Sequence, residues 1–563
     1  MILGRYLRQP PRLAVMEPSE MESETSLREN LVDAKLAPAA LCKRLLPYVV
    51  LAFCSILYVY PFMRVCLFLR GDEGILLCGA VRVTEGQVPF RDFFESIGPG
   101  SFFWLALFFK IFGMTWFAAR IWLMLNTVLT TVLVYFLTRR LRTGAEFVPA
   151  VFLLAVSFPF CFSISHHADS NLFALLSFAA MVSWLERRQP ILLFATGILA
   201  GITTCFLQPK GFLLFLSYLL LLWLLCRREP GLLLSAARLL AGYVLVGLAV
   251  VLLFWTAGGF ADLVYANVVW PLTNYTNLNT VPYGFGLQAL FWESWTPSLS
   301  NLLSRAVALG AASLLAVPFL VIGALPLLLG LFAVLHRSVA FNRHTLPYWI
   351  VGFALWGSEI HRKDITHLIY GSPLLVILCF HLYRHLRGRF NGSAIQLATI
   401  CAVFLAIFNG FVVLAAQTKL VTRRGTIYTF AADDALEFLN KNTKMGDEIF
   451  AYPYSPMYYF LAAVKNPTRF SALLYQLNTD SQFREAVLAL EESRVRYIVW
   501  NTAFESEKVK ILSPTYRSRR PKEFIVEPYL IEHYDVVERN SAFSLLRRKD
   551  TKMTSGSPRL TAP

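Results

Sequence analysis

The chain has 563 residues, of which 56% are hydrophobic and only 16% charged. Soluble domains run near 45–50% apolar and about 25% charged, so one large soluble core is excluded and long apolar blocks mark membrane spans. The 52 Lys and Arg against 36 Asp and Glu give a net charge of +16, but the basic residues sit at the ends of apolar blocks, which argues for orientation in a bilayer and against nucleic acid.

Residues 1–44 are polar and of mixed charge, without the short basic and then apolar stretch of a cleavable signal peptide. A spanning helix needs about 20 mainly apolar residues, and blocks of that kind predict about eleven spans. They lie at 46–69, 117–138, 147–165, 171–186, 191–208, 212–226, 233–256, 306–335, 345–358, 368–383 and 394–416. The blocks at 171–186, 212–226, 345–358 and 368–383 are short. The apolar stretch 101–113 is too short to cross and predicts a helix lying in the interface. Arg139, Arg140 and Arg142, then Arg187 and Arg188, Arg227 and Arg228, Arg337 and Arg343, and Arg384, Arg387 and Arg389 make every second loop basic. By the positive-inside rule these loops and the N-terminus face the cytoplasm of a plasma or inner membrane, and 70–116, 166–170, 257–305, 359–367 and the tail face outside. The tail, 418–548, predicts a small extracytoplasmic α/β domain, with helices at Asp433–Leu439 and Phe483–Leu490 and strands at Glu448–Tyr452 and Arg496–Trp500. Residues 549–563 have a disorder-type composition. The predicted fold class is thus an α-helical polytopic membrane protein: a transmembrane domain over 45–417 and a small α/β domain after it. The nine cysteines contain no CxxC and none follows Cys401, so the tail has no disulfide.

Carboxylates and basic groups concentrate on the outer side. Asp72 and Glu73 follow the first span. A carboxylate at the membrane surface can take a proton from a substrate hydroxyl, and Asp72 is the preferred base, with Glu73 orienting it or facing away. Arg91 and Asp92 lie further along the same loop, where they either bind sugar or pair and shape the loop. Ser165-His166-His167-Ala168-Asp169 forms an outer hairpin. Adjacent histidines point apart, which weakens a metal reading, and Asp169 is either a helix-opening acid or a second site carboxylate. Lys210 sits at an outer junction between two spans, where it snorkels or binds a lipid phosphate. The cluster from Glu359 to His367, with Arg362 and Lys363, breaks the rule that short outer loops avoid positive charge: either an anion such as a phosphate holds it there, or Arg362 pairs with Glu359 or Asp364. Tyr265, Asn267, Trp270, Asn274, Tyr275, Asn277, Tyr283, Trp292 and Trp295 suit either sugar faces or an interfacial belt. No P-loop, GxGxxG, GxSxG or HExxH motif is present.

Asp72-Glu73-Gly74, Gly86 to Phe93, Gly98-Pro99-Gly100-Ser101 and Leu105 to Gly113 with Ala119-Arg120 resemble the first outer loop of GT-C glycosyltransferases. The nearest branch is similar to bacterial relatives of dolichyl-phosphate-mannose protein mannosyltransferases and of the lipid A aminoarabinose transferase. Ala168-Asp169, Lys210-Gly211, Arg362 to His367 and the outer tail agree with it. The resemblance implies a polyprenyl-phosphate sugar donor, inversion at the anomeric carbon, and a lipid, glycan or protein acceptor activated by Asp72. It implies that Lys210 and Arg362 hold the donor phosphate, with Lys363, His367, Asp169, Asp92 and Arg91 around the substrates. Some members use a divalent metal and others do not; no cofactor is fixed by these residues. The competing readings are a lipid or sugar transporter, for which charge collects too strongly at one face and no repeat shows, and a non-catalytic membrane scaffold.

Overall fold

The computed structural model describes residues 38–66, 71–141, 146–275, 280–283, 302–386, 403–502 apart from 404 and 411, 514–540 and 542–549. Asn277, Trp292, Trp295, Arg142, Arg387 and Arg389, nearly all of the N-terminal segment and the tail 550–563 lie outside these residues. Two compact units result, Met1–Phe53 and Cys54–Pro563. Among the described residues the first unit holds the opening turns of helix α1 (Pro38–Val59), and the second holds the rest.

Among the described residues, five helical stretches are long and apolar enough to cross a membrane. They are Arg44–Arg64, which continues α1, then α4 (Trp116–Arg140), α6 (His166–Arg187), α8 (Gln208–Cys226) and α9 (Leu232–Thr256). Shorter apolar helices interleave with them: α5 (Phe147–Phe160), α7 (Pro190–Phe206) and the apolar part of α10 (Leu302–Leu335). Helix α11 (Leu346–Glu359) follows. Helix α6 begins well before its apolar run because Ser165 caps it, accepting the His167 amide at 3.2 Å. The single span expected at 368–383 is broken into α12 (Ile365–Gly371) and α13 (Pro373–Leu386), bent by 69°. Pro373 at the break has no N–H to continue the ladder.

The loop after α1 folds into α2 (Glu73–Thr84) and α3 (Gly100–Phe112), the latter over the stretch that predicts an interface helix. The tail opens with the hairpin β1 (Thr418–Thr422) and β2 (Gly425–Thr429). Helix α14 (Asp434–Asn442) follows, capped by Asp433. A four-stranded sheet in the order β3-β4-β6-β5 comes next, made of β3 (Ile449–Tyr452), β4 (Tyr497–Trp500), β5 (Tyr534–Arg539) and β6 (Ser544–Arg548). Strands β3 and β4 run parallel and the other pairs antiparallel. Helices α15 (Met457–Leu461), α16 (Asp480–Ser493) and α17 (Val526–His533) pack around it. Both helices and both strands expected from the tail's patterning are found within these elements.

The tail does not stand apart from the first loop. Phe102, Phe109 and Trp116 share one buried cluster with Tyr454, Met457, Phe460 and Leu545. Each such side chain contributes roughly 1.5–3 kcal/mol by leaving water. At Gly74 the approach is so close that an added Cβ would lie 2.4 Å from the Met457 backbone nitrogen, so only glycine lets α2 meet α15 here.

Candidate functional site

Asp72 is the N-cap position of α2, yet its side chain makes no capping bond. The carboxylate, exposed on one side, instead accepts the Tyr454 hydroxyl from the loop between β3 and α15. Glu73 turns the other way. It pairs with Arg120 at 2.8 Å and accepts the Ile164 amide at 3.1 Å, buried with its partner. Arg120 also donates to the Phe162 carbonyl and lies over the Trp116 ring. Glu73 therefore ties α2 to α4 and to the turn before α6, and does not share the face of Asp72.

A second cluster assembles from three helix ends. Lys210, in the first turn of α8, is completely buried, and its ammonium lies 2.6 Å from Oε1 of Glu359, the last residue of α11. That contact is off the line of a good hydrogen bond, so it is mainly charge on charge. His167 Nδ1 lies 2.9 Å from Glu359 Oε2, and its ring meets that of His367 with centroids 4.5 Å apart. His367 Nδ1 lies 2.8 Å from Asp364, and Arg362 Nε lies 3.2 Å from the other Asp364 oxygen. Burial pushes the Asp364 carboxyl up, but the hydrogen bond from His367 and the charges of His367 and Arg362 hold it well below the usual carboxylate range. Burial also pushes His361 down to about 4, with the positive charges of His367 and His167 acting the same way. Lys363 is half-buried on the same hairpin, its amide bonded to the Val281 carbonyl at 3.2 Å.

Tyr275 and Tyr454 link the two clusters. The Tyr275 phenol is pushed up to about 12, by burial first, and feels the charges of Arg362, Glu359, Asp72 and Asp364 together. Tyr454, raised well above its ordinary value by burial and by Asp72, also feels Glu95 and Arg362. The Tyr275 hydroxyl lies 3.4 Å from His361 Nε2 on the Arg362 hairpin, and the Tyr454 hydroxyl donates to Asp72.

Other sequence-predicted residues are placed differently. Asp169 is buried, with oxygens taken by Trp122 at 2.8 Å, Ser101 at 3.0 Å and Asn126 at 3.1 Å. It braces α3, α4 and α6. Asp92 binds its neighbour Arg91 at 2.8 Å and the Val88 amide at 2.7 Å, which shapes the first loop. Trp270, one of the aromatics suited to a sugar face, is buried against Phe94. Sequence reasoning gave Glu359 only as the first residue of the charged cluster that ends at His367 and as an alternative to Asp364 in pairing with Arg362, and did not single out Tyr454, 382 positions from Asp72. An acid closing an apolar run was a usable signal for Glu359; nothing marked Tyr454.

For a cation, His167, Glu359 and His367 offer three donor atoms within 4.8 Å of one another. This donor set suits a transition metal. Lys210 already neutralises Glu359, however, so a cation there has to displace the ammonium.

No family model matches the chain, and no curated protein matches it. Among solved structures, ArnT from Cupriavidus metallidurans bound to undecaprenyl phosphate matches with a TM-score of 0.50 at 13% identity, over 91% of this chain and 99% of that one. The archaeal oligosaccharyltransferase AglB from Archaeoglobus fulgidus, in complex with an inhibitory peptide and a dolichol-phosphate, gives a TM-score of 0.47 at 13% identity, over 90% of this chain and 74% of that one. The likeness to ArnT concerns architecture: the chain shares that protein's fold, which agrees with its helical part and its α/β tail.

Proposed function

We propose that this chain is an integral membrane glycosyltransferase that moves a sugar from a polyprenyl-phosphate donor to an acceptor hydroxyl on the extracytoplasmic face, with inversion. One observation supports the reading: the Asp72 carboxylate is exposed at the start of α2 and held by the Tyr454 hydroxyl, where an acceptor hydroxyl can reach it. The fold shared with a protein bound to undecaprenyl phosphate supports the donor class.

In this reading the acceptor O–H gives its proton to Asp72. The acceptor oxygen forms the bond to the anomeric carbon, the bond from that carbon to the phosphate oxygen breaks, and the electron pair leaves on the phosphate. Arg362 and Lys363 stabilise the departing anion, while Lys210 offsets the buried Glu359 carboxylate beneath them. His367 and Asp364 hold the Arg362 guanidinium in place. Asp72 later returns its proton to water. Glu73, Asp169, Arg91 and Asp92 serve by holding the first loop and the spans beneath it. The N-terminus lies in the cytoplasm and the tail outside.

The test is transfer by the purified protein in liposomes from a panel of undecaprenyl- and dolichyl-phosphate sugars. Asp72→Asn should lose about 10²–10⁴ in rate, the usual range for a general base. Equal turnover by the variant and the parent ends the assignment. The break between α12 and α13 favours a second reading, a lipid or sugar carrier without transfer chemistry. Movement of lipid-linked sugars across the bilayer, unaffected by Asp72→Asn, would select it.

A further inference from the structure

The outer α/β domain touches Asp72 through Tyr454. The phenol is 6% exposed, and its hydroxyl donates to Asp72 Oδ1. Three contacts fix the loop that carries it. Asn501, just after β4, donates to the Tyr454 carbonyl and to Ser455 Oγ, each at 3.1 Å. Cys78 on α2 donates its thiol to the Pro456 carbonyl at 3.0 Å. Gly74 leaves no room between α2 and the backbone of Pro456 and Met457. The tyrosine is therefore locked to the helix that bears the carboxylate.

We infer that Tyr454 is a positioning residue for the first-loop base: its hydroxyl holds the Asp72 carboxylate in the empty site, and the acceptor's hydroxyl takes over that hydrogen bond before giving up its proton. The inference rests on Asp72 acting as the base of a glycosyl transfer. An O–H donated to a carboxylate stabilises the anion and lowers its basicity. An incoming hydroxyl exchanges one charge-assisted hydrogen bond for another at little net cost, while an acceptor without one leaves a polar group unpartnered. The displaced phenol has a second acceptor nearby. Glu95 Oε1 is buried without a hydrogen-bond partner, and the Glu95 charge is felt at Tyr454. The other charged groups around the pair are Arg82, which acts on Glu95, and Arg362 with Tyr275 across the space. The device selects hydroxyl-bearing acceptors and makes transfer depend on the outer domain being docked.

Two measurements on the full chain in nanodiscs test this. The first needs no sugar: thermal unfolding of Asp72→Ala, Tyr454→Phe and the double variant. A coupled pair gives a double variant no less stable than the worse single one; additive losses in Tm overturn the contact. The second is transfer from the polyprenyl-phosphate sugar panel across pH 5–9. Tyr454→Phe should move the acidic limb of kcat/KM up by about one pH unit, a tenfold gain in proton affinity. Donor KM should stay within about twofold. Tyr454→Gln, which restores a donor, should move the limb back. A uniform loss at every pH with the limb unmoved marks a tyrosine that only supports structure, and it overturns the proposal. Coupled Tm values with no transfer from any donor leave the contact standing and end the glycosyltransferase reading, and Tyr454's role with it.

Discussion

Lys210 and Glu359 stand 2.6 Å apart with 0% and 1% of their side chains exposed. A buried pair costs several kcal/mol per ion in lost hydration, and its mutual attraction only offsets this while both charges are present. The asymmetry is testable. Lys210→Met should destabilise the protein by about 3–5 kcal/mol, and Lys210→Met with Glu359→Leu should regain most of that. Thermal unfolding of the three proteins in one lipid composition checks it. A double variant as unstable as the single one would show that the carboxylate has other sufficient partners.

The same ammonium governs metal binding. His167, Glu359 and His367 converge within 4.8 Å, but Glu359 is already neutralised. Zn²⁺ should therefore leave the Tm of the parent unchanged and raise that of Lys210→Met in a concentration-dependent way, as a ligand for the native state does. Adding His367→Ala to Lys210→Met should remove the rise. A chelator-sensitive parent would mean that a cation displaces Lys210 after all.

These residues show what the sequence carried and what it withheld. Hydrophobic block length located most of the helices, because spans must bury every backbone group and so need long apolar runs. It placed the start of α6 late, since Ser165 and the histidines are polar yet helical. It read one span where Pro373 divides two. The basic hairpin at Arg362 was legible because it violates a charge rule, and in the structure the Asp364 carboxylate pairs with it. The roles of Glu73 and Asp169 were not legible. Whether an acid faces a cavity or a buried Arg120, Trp122 and Asn126 depends on helix packing, and no spacing within one segment reports that. Tyr454 lay furthest from reach, because its partner belongs to another domain of the fold.

Glu95 predicts a pH effect. Burial pushes its carboxyl up to about 7, with Asp72 adding to the rise while Ser471 and Arg82 oppose it. The folded value exceeds the unfolded one, so the native state binds the proton more tightly. The stabilisation is fully present below the unfolded value and is lost as pH rises through about 7. Glu95→Gln, which stays neutral, should therefore exceed the parent in stability above pH 8, by roughly 3 kcal/mol at most, and match it near pH 5. Tm measured from pH 5 to pH 9 in both proteins decides. Parallel curves would mean that Glu95 ionises without penalty.

Gly74 tests the docking of the outer domain. A Cβ there would lie 2.4 Å from Met457 N, 2.8 Å from Met457 Cα and 2.9 Å from Pro456 C, all backbone atoms that cannot rotate away. In an exposed helix interior, glycine to alanine gains about 1 kcal/mol from propensity. Here overpacking, typically 1–3 kcal/mol, opposes that gain and should win. Gly74→Ala should lower Tm, separate Tyr454 from Asp72 and reduce transfer. Gly247→Ala in the middle of α9 is the matched control, because an added Cβ meets nothing within 4 Å. It should leave Tm level or slightly higher and transfer unchanged. If both substitutions behave alike, α2 and the outer domain are not in the close contact on which the Tyr454 hydrogen bond depends, and the carboxylate must be held by the membrane domain alone.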